Sequence, residues 1–261
     1  MTPEISVVIP LRNEEPNVLP LYDELTAALE PLARPYELIL VDDGSDDRTF
    51  ERLAGVQGRD PRVRVIRFTR NFGQTAAFAA GFAHARGAFI VTSDGDLQND
   101  PADMPRMLAL ARDHDIVCGW RKDRKDAFLT RHVPSVVANR LLALVTGLDL
   151  HDNGCSLKVF RAEVVTPLKL RPGMHRYLPA LASQLGNRVA EVAVNHRPRQ
   201  AGRSKYGLSR TFGVLRDIAG LRGLMRRAVD PSTDTSQLYT VKRVLEKAEV
   251  RLKPDTPYGR T

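Results

Sequence analysis

Four carboxylates crowd the stretch IVTSDGDLQNDPAD: Asp94, Asp96, Asp100 and Asp103 fall within ten positions, at the end of an apolar run. Acids so close raise one another's pKa, and they need water, a helix N-terminus or a cation to offset them. Asp94 and Asp96 are separated only by Gly95, which lets the backbone turn sharply so that both carboxylates face one point; Gln98 adds another oxygen. An all-oxygen set of this kind suits a hard divalent cation, Mg²⁺ or Mn²⁺. An EF-hand calcium loop starting at Asp94 is disfavoured, because it would need Gly and Glu where Asn99 and Pro105 stand. Asp100, followed by Pro101, reads instead as a helix cap with proline at the first helical position.

A second acidic cluster closes another apolar run in LILVDDGSDDRT. Ser45 or Asp46 can cap the helix that follows and Gly44 can turn the chain, which leaves Asp42 and Asp43 to be accounted for. A carboxylate at a strand end can accept the imide or amide N–H of a nucleobase, and this marks Asp43; the alternative is solvated charge at a helix start. His175 and His196 have no partners at a recognisable spacing and read as structural.

The elements that must position these groups alternate. ISVVIP, YELILVDD, VRVIRFT and AFIVTSD read as strands, and Val18 to Leu32, Arg48 to Gln57 and Thr75 to Ala85 read as helices between them. The expected fold is α/β, a mostly parallel sheet covered on both faces by helices, with ligands beyond the carboxyl ends of the strands. The polar segments PLRNEE, DDGSDD, RNFGQ and DGDLQ follow the four strands and should converge on that edge. The chain has no G-x-G-x-x-G after its first strand and no G-x-x-x-x-G-K-[ST], which argues against a dinucleotide oxidoreductase and a P-loop enzyme.

Beyond DIVCGWR come a polar stretch, KDRKDAFLTRH, and an apolar-faced helix from about Val133 to Thr146. CSLKVF and RVAEVAVNH read as further strands, and RPRQAGRSKYG as a mobile basic loop. We expect a catalytic domain over 1–206, an amphipathic basic helix over 207–229 and a polar tail over 230–261 in which only Val241 to Val250 looks helical. No internal repeat is visible.

The 261 residues are 43% apolar and 27% charged, an ordinary globular composition. The formal charge of +8 points to an anionic partner: nucleic acid, anionic lipid or a phosphorylated substrate. Nucleic acid fits poorly, since the arginines are not interleaved with aromatics and the central loops are acidic. Cys118 and Cys155 lack metal-ligand spacing and fit buried thiols in a reducing compartment. The start has no basic segment followed by an apolar core, so no secretory signal is expected. No apolar stretch reaches the ~18 to 20 residues of a bilayer span; VPSVVANRLLALVTGLDL is interrupted by Asn139 and Arg140.

Taken together, SVVIPLRNEE, LILVDDGSDDRT, RFTRNFGQTAAFAAGF, VTSDGDLQNDP, NGCSLKVFR and GRSKYG resemble the family-two inverting glycosyltransferases of GT-A fold. Within them they resemble the polyprenyl-phosphate sugar transferases of the dolichol-phosphate mannosyltransferase and undecaprenyl-phosphate glycosyltransferase type, over about Ile5 to Leu221. The resemblance implies transfer of a sugar from a nucleotide-diphosphate sugar to a polyprenyl phosphate. It implies that Pro10, Arg12, Asn13 and Glu14 line the first nucleotide loop, that Val41 and Asp43 lie near the base, and that Asp94, Gly95, Asp96 and Gln98 form the D-x-D element serving metal and diphosphate.

By the same resemblance Arg121 and Arg131 hold the acceptor phosphate, Arg203 and Lys205 close over the diphosphate, and Asp152 orients the site. In relatives that glycosylate hydroxyls, a carboxylate near Asp152 serves as base. This chain departs from the pattern at Arg12, where an aromatic is common, and at Gln74, where Lys is common. The family's usual membrane helices after the catalytic domain are absent. That absence leaves a soluble transferase acting on a saccharide or small-molecule hydroxyl as the alternative. It also suggests peripheral attachment at the cytoplasmic face through the helix around Thr211 to Arg227, unless its stripe packs on the chain's own core or on a second subunit of a homo-oligomer.

Overall fold

The computed structural model describes residues 2–122, 140, 143, 144, 146–198, 223, 235, 238–246 and 249–251. Strands Ile5–Leu11 (β1), Tyr36–Asp42 (β2), Val63–Phe68 (β3) and Phe89–Thr92 (β4) pair in parallel in the order β4-β1-β2-β3. The chain returns between them through Val18–Leu29 (α1), Thr49–Gln57 (α2) and Gln74–His84 (α3), close to the expected spans. With both faces covered, β1 and β2 bury almost every side chain rather than alternate ones.

Met104–Leu110 (α4) leads to Ile116–Trp120 (β5), and Lys158–Arg161 (β6) and Val189–Ala193 (β7) follow at the two expected strand segments. The last strands are Val241–Glu246 (β8) and Glu249–Arg251 (β9). The sheet order is β7-β5-β6-β4-β1-β2-β3-β8-β9, in which only β6 and β8 run against the rest. Of the expected helix near 133–146, Arg140, Ala143, Leu144 and Thr146 are described as helical. The amphipathic segment 207–229 lies outside the described residues except for Gly223.

One core, containing Val8, Ile39, Ile66, Phe78 and Phe82, lies on the α3 face of the sheet. The other, containing Ile9, Leu25, Leu38, Leu40 and Leu53, lies under α1 and α2. The small residues of QTAAFAAGFAH let α3 lie close on β1: a Cβ on Gly81 would come within 2.1 Å of Val8 Cγ1.

The segment from Val241 is strand, not helix, which corrects the sequence expectation. Val241, Val244 and Leu245 fall at i, i+3 and i+4, the spacing of a helix face. Here a bulge against β3 breaks the alternation, so Val241 and Val244 enter one core and Leu245 the other. At the edge opposite the acidic loops, buried Glu37 accepts hydrogen bonds from Ser6 Oγ (2.7 Å), Arg86 Nη2 (2.7 Å) and Arg64 Nη1 (3.3 Å). Arg64 reaches on to Glu246 of β8 at 2.6 Å, so one ionic cluster ties β1, β2, β3 and β8 together.

The first turn of α3 is pinned from a distant segment. Gly173 N donates to Thr75 Oγ1 (2.9 Å), which lies 2.7 Å from His175 Nδ1. Burial above all, with the charges of Arg176 and Lys158, pushes the His175 imidazole down to about 3. The ring is therefore neutral in the fold and the Thr75 hydroxyl donates to Nδ1, an assignment that places the ring proton on Nε2. The unfolded imidazole titrates near its ordinary value of about 6.5. The unfolded chain therefore takes up a proton that the fold refuses, and stability present above that value is lost as pH falls toward 3. We expect about 2 kcal/mol of this loss between pH 7 and pH 5, and its absence in His175→Gln; urea midpoints across that range measure it.

Candidate active site

The loops after β1 and β2 are stitched together by short polar side chains. Asn13, with φ 53°, donates from its N–H to Ser45 Oγ (3.0 Å) and accepts from Asp46 N (2.9 Å). Asparagine tolerates the left-handed region better than most residues. Glu14 N donates to Thr49 Oγ1 (2.9 Å), while the buried Glu14 carboxylate accepts from Asn17 (2.6 Å). Arg12 stands at the mouth, 3.7 Å from Asp46. Pro10 is in β1, and the Val41 side chain is fully buried in the core, so Val41 can meet a ligand only through its backbone.

Asp43 holds the loop after β3. Its carboxylate accepts from Phe72 N (2.7 Å), Gly73 N (3.0 Å) and Asn71 Nδ2 (2.8 Å). Burial raises its pKa against the effect of these donors. Beside it Asp42, with no exposed surface, accepts from Ser45 N (2.9 Å) and pairs with Arg67 (3.3 Å). A carboxylate has about four acceptor sites, so Asp43 retains capacity for a ligand N–H beyond its structural bonds.

The D-x-D element sits at the end of β4, against the end of β1. A Cβ on Gly95 would come within 2.9 Å of Leu11 Cγ and 3.2 Å of Pro10 O, so the turn requires glycine for close approach. Asp94 accepts from Gln74 Nε2 at 2.6 Å, a neutral amide from the first residue of α3. Asp96, 7% exposed, accepts from Gln98 N (3.2 Å). The Gln98 carboxamide donates to Arg197 O (3.4 Å), so its amide group is drawn to the segment after β7. The other two acids of the cluster have structural tasks. Asp100 caps a 3-10 turn through Ala102 N (3.0 Å), as expected, and pairs with Arg197 (2.7 Å); Asp103 pairs with Arg106 (2.7 Å).

At the end of β5 Arg121 meets Asp152 at two points, Nε to Oδ2 at 2.7 Å and Nη2 to Oδ1 at 2.9 Å. Both side chains are largely buried, at 13% and 5% exposure. Burial opposes the Arg121 charge, but Asp152 and then Cys155 and Asp94 favour it, so its pKa is raised and the guanidinium stays charged. Asp152 is placed in turn by Glu191 of β7, which accepts from Asp152 N (2.9 Å), His151 N (3.0 Å) and His151 Nδ1 (2.7 Å). The His151 ring stacks on Trp120 with centroids 4.2 Å apart.

The structure thus brings Asp94, Asp96, Arg121 and Asp152 to the strand-end edge that also carries Arg12, Asn13, Glu14 and Asp43. Arg131, Arg203 and Lys205 lie outside the described residues. Sequence reading missed Glu191 and the tasks of Gln74 and Asn71. Gln74 stood out only as a departure from the family pattern, and nothing local marks Glu191, whose partners lie about forty positions away. Among the described residues no group of three or more His, Cys, Asp or Glu could hold a metal. Two carboxylates fit an ion whose remaining ligands are substrate phosphates and water, the manner in which Mg²⁺ is usually bound, rather than a closed protein cage.

The family model for "Glycosyl transferase family 2" matches residues 6–167. Dodecaprenyl-phosphate galacturonate synthase of Rhizobium johnstonii is 46% identical over 87% of this chain and 69% of its own length. Undecaprenyl-phosphate 4-deoxy-4-formamido-L-arabinose transferase of Edwardsiella ictaluri is 36% identical over 82% of this chain and 66% of its own. The chain therefore spans about two thirds of the length of these curated relatives. Among solved structures, glucosyl-3-phosphoglycerate synthase of Mycobacterium tuberculosis superposes with a TM-score of 0.65 at 22% identity, covering 98% of this chain and 90% of that one. The mannosyltransferase PcManGT of Pyrobaculum calidifontis, solved with GDP-Man and Mn²⁺, gives 0.58 at 17% identity over 88% and 72%. A family model that spans more than half the chain, a relative 46% identical over 69% of its length and the superposition on these GT-A structures make this protein a member of glycosyl transferase family 2 with the GT-A fold.

Proposed function

We propose that the enzyme moves a sugar from a nucleotide-diphosphate sugar to a polyprenyl phosphate, inverting the anomeric centre, at the cytoplasmic face of a membrane. The observation that carries the reading is the contrast at the strand-end edge. Asp94 is held by a neutral amide and forms no ion pair with a described residue, whereas Asp152 is locked to a buried arginine. Asp94 and Asp96 would hold a divalent cation, Mg²⁺ or Mn²⁺. When bound, such an ion neutralises charge building on the departing diphosphate.

A phosphate acceptor is already an anion, so its attack on the anomeric carbon needs no strong protein base. It needs cations to hold it. Arg121 has donors beyond the two that meet Asp152, and Arg131 joins it in this proposal, while Arg203 and Lys205 close over the diphosphate and offset the leaving group's charge. Asp152 would serve as base for a hydroxyl acceptor, but a carboxylate in a two-point pair with a guanidinium is a poor proton acceptor. This favours the phosphate acceptor over the hydroxyl alternative, and the names of both curated relatives agree with it.

Incubation with UDP- or GDP-sugars, Mn²⁺ and a membrane lipid extract should yield an organic-soluble sugar phosphate lipid; a purely aqueous product would support the hydroxyl alternative. Asp96→Asn should lower turnover by about a hundredfold or more in a protein that stays folded. Undiminished activity in chelator would remove the metal from the reading.

Arg121→Ala would strand buried Asp152 and cost about 3 kcal/mol of stability, so the acceptor role is better tested with Arg121→Lys, which keeps a charge but not the two-point geometry. We expect a raised KM for the lipid phosphate and unchanged nucleotide affinity. The reverse split would move Arg121 to the donor side.

No helix among the described residues is long and apolar enough to cross a membrane. The basic amphipathic sequence 207–229 is proposed to lie in the interface, its leucines in the acyl boundary and its arginines on anionic head groups. Flotation on liposomes should rise with anionic lipid, fall with salt and weaken when Leu221 and Leu224 become Ser. A protein that never floats, even at low salt, would indicate that the stripe packs on the enzyme itself or on a second subunit.

A further inference from the structure

A cleft of about 400 Å³ opens beside the loops after β1, β2 and β3, and its wall includes Arg12, Asp46, Arg67, Arg70 and Lys242. Arg67 is matched by buried Asp42, and Arg12 stands opposite exposed Asp46. Arg70 lies over the Phe72 ring, with 4.1 Å from guanidinium carbon to centroid, and donates to Asn71 O (3.4 Å). Neither Arg70 nor Lys242 forms an ion pair with any described residue. The cleft therefore carries an excess of positive charge beside Asp43, on the side of the sheet away from β4.

Lys242 reaches this wall by a specific backbone device. Phe68 lies opposite Val241 and Arg67 opposite Arg243, so Lys242 is the extra residue of a bulge in β8. Bulges beside functional sites commonly re-aim a side chain, and this one leaves Lys242 exposed while Val241 and Val244 share one core. The segment is fastened at the same place. Thr69 N donates to Thr240 O (3.1 Å), and Tyr239 stacks on Phe68 with centroids 5.0 Å apart. The loop that offers its N–H groups to Asp43 is continuous with this braced end of β3.

We propose that Lys242 is a nucleotide-binding residue: it completes a cationic cleft for the nucleoside end of the donor, and the donor site is incomplete without the C-terminal strand. The assignment rests on the reading of the enzyme as a nucleotide-sugar transferase. Its ammonium is a mobile point charge with three donors, suited to base carbonyl and ribose hydroxyl oxygens, and together with Arg70 and Arg12 it draws an anionic nucleotide toward the cleft.

Calorimetric titration of the full chain with UDP and with GDP, each with Mn²⁺, tests it in Lys242→Ala, Lys242→Glu and Lys242→Arg. The nucleotide that binds the unaltered enzyme should bind Lys242→Ala about tenfold more weakly, Lys242→Glu more weakly still and Lys242→Arg nearly normally. The affinity of Lys242→Ala should also depend less on salt. Thermal unfolding checks that each variant is folded, and Lys242→Gln replaces Lys242→Ala if the latter is destabilised. Folded Ala and Glu variants that bind within about twofold of the unaltered enzyme would overturn the role of Lys242 alone. An unaltered enzyme that binds neither nucleotide would overturn the functional reading beneath it.

Discussion

All the described strands but β6 and β8 point the same way, and this common direction decides where charge can be placed. A parallel strand must be followed by a return through a helix, so the loops that leave the strand ends pile up on one edge. In this chain those loops are acidic, and the edge becomes a problem of electrostatic matching. Asp42 is answered by Arg67, Asp100 by Arg197, Asp103 by Arg106 and Asp152 by Arg121. Asp43 is answered by backbone N–H groups. Asp94 accepts from a neutral amide and forms no ion pair among the described residues, with Arg121 acting on it only through space, so the end of β4 keeps a carboxylate that a cation can meet.

The matching also makes the loops interdependent. Asn13 bonds to the loop after β2, Glu14 N donates to Thr49 at the start of α2, and Asp43 bonds to the loop after β3. Residues that a motif assigns to a ligand are thus partly occupied in holding one another. This is a general means of pre-organisation: the loops are fixed by bonds among themselves before any substrate arrives. Buried Glu37 and Arg64, with the more exposed Arg86 and Glu246, form a cluster at the opposite edge that ties β8 to the sheet.

Much of this was legible in the sequence, because continuous apolar strands ending in polar loops can be read directly from Val7 to Leu11 or Leu38 to Asp43. The D-x-D turn and the cap at Asp100 were legible for the same reason: their partners are two or three positions away. Val41 was placed near a base by motif, yet its side chain belongs to the core, since a motif position does not say which face a side chain takes. Glu191 was invisible, because its task depends on a pairing of β5 with β7 that brings distant segments together. The C-terminal strand was misread because one inserted residue converts strand alternation into helical spacing, and only the register against β3 reveals the insertion.

The stack of Trp120 on His151 has an optical consequence. The chain has a single tryptophan, and it lies one residue from Arg121, against a ring that also contacts Glu191. Intrinsic emission excited at the indole band therefore arises from one point, at the end of β5. The stacked imidazole is held in turn by the Glu191 carboxylate 2.7 Å away, so the surroundings of the indole are fixed by the same contacts that place Asp152. The enzyme thus carries its one indole at the Arg121 side of the strand-end edge, away from the nucleotide cleft.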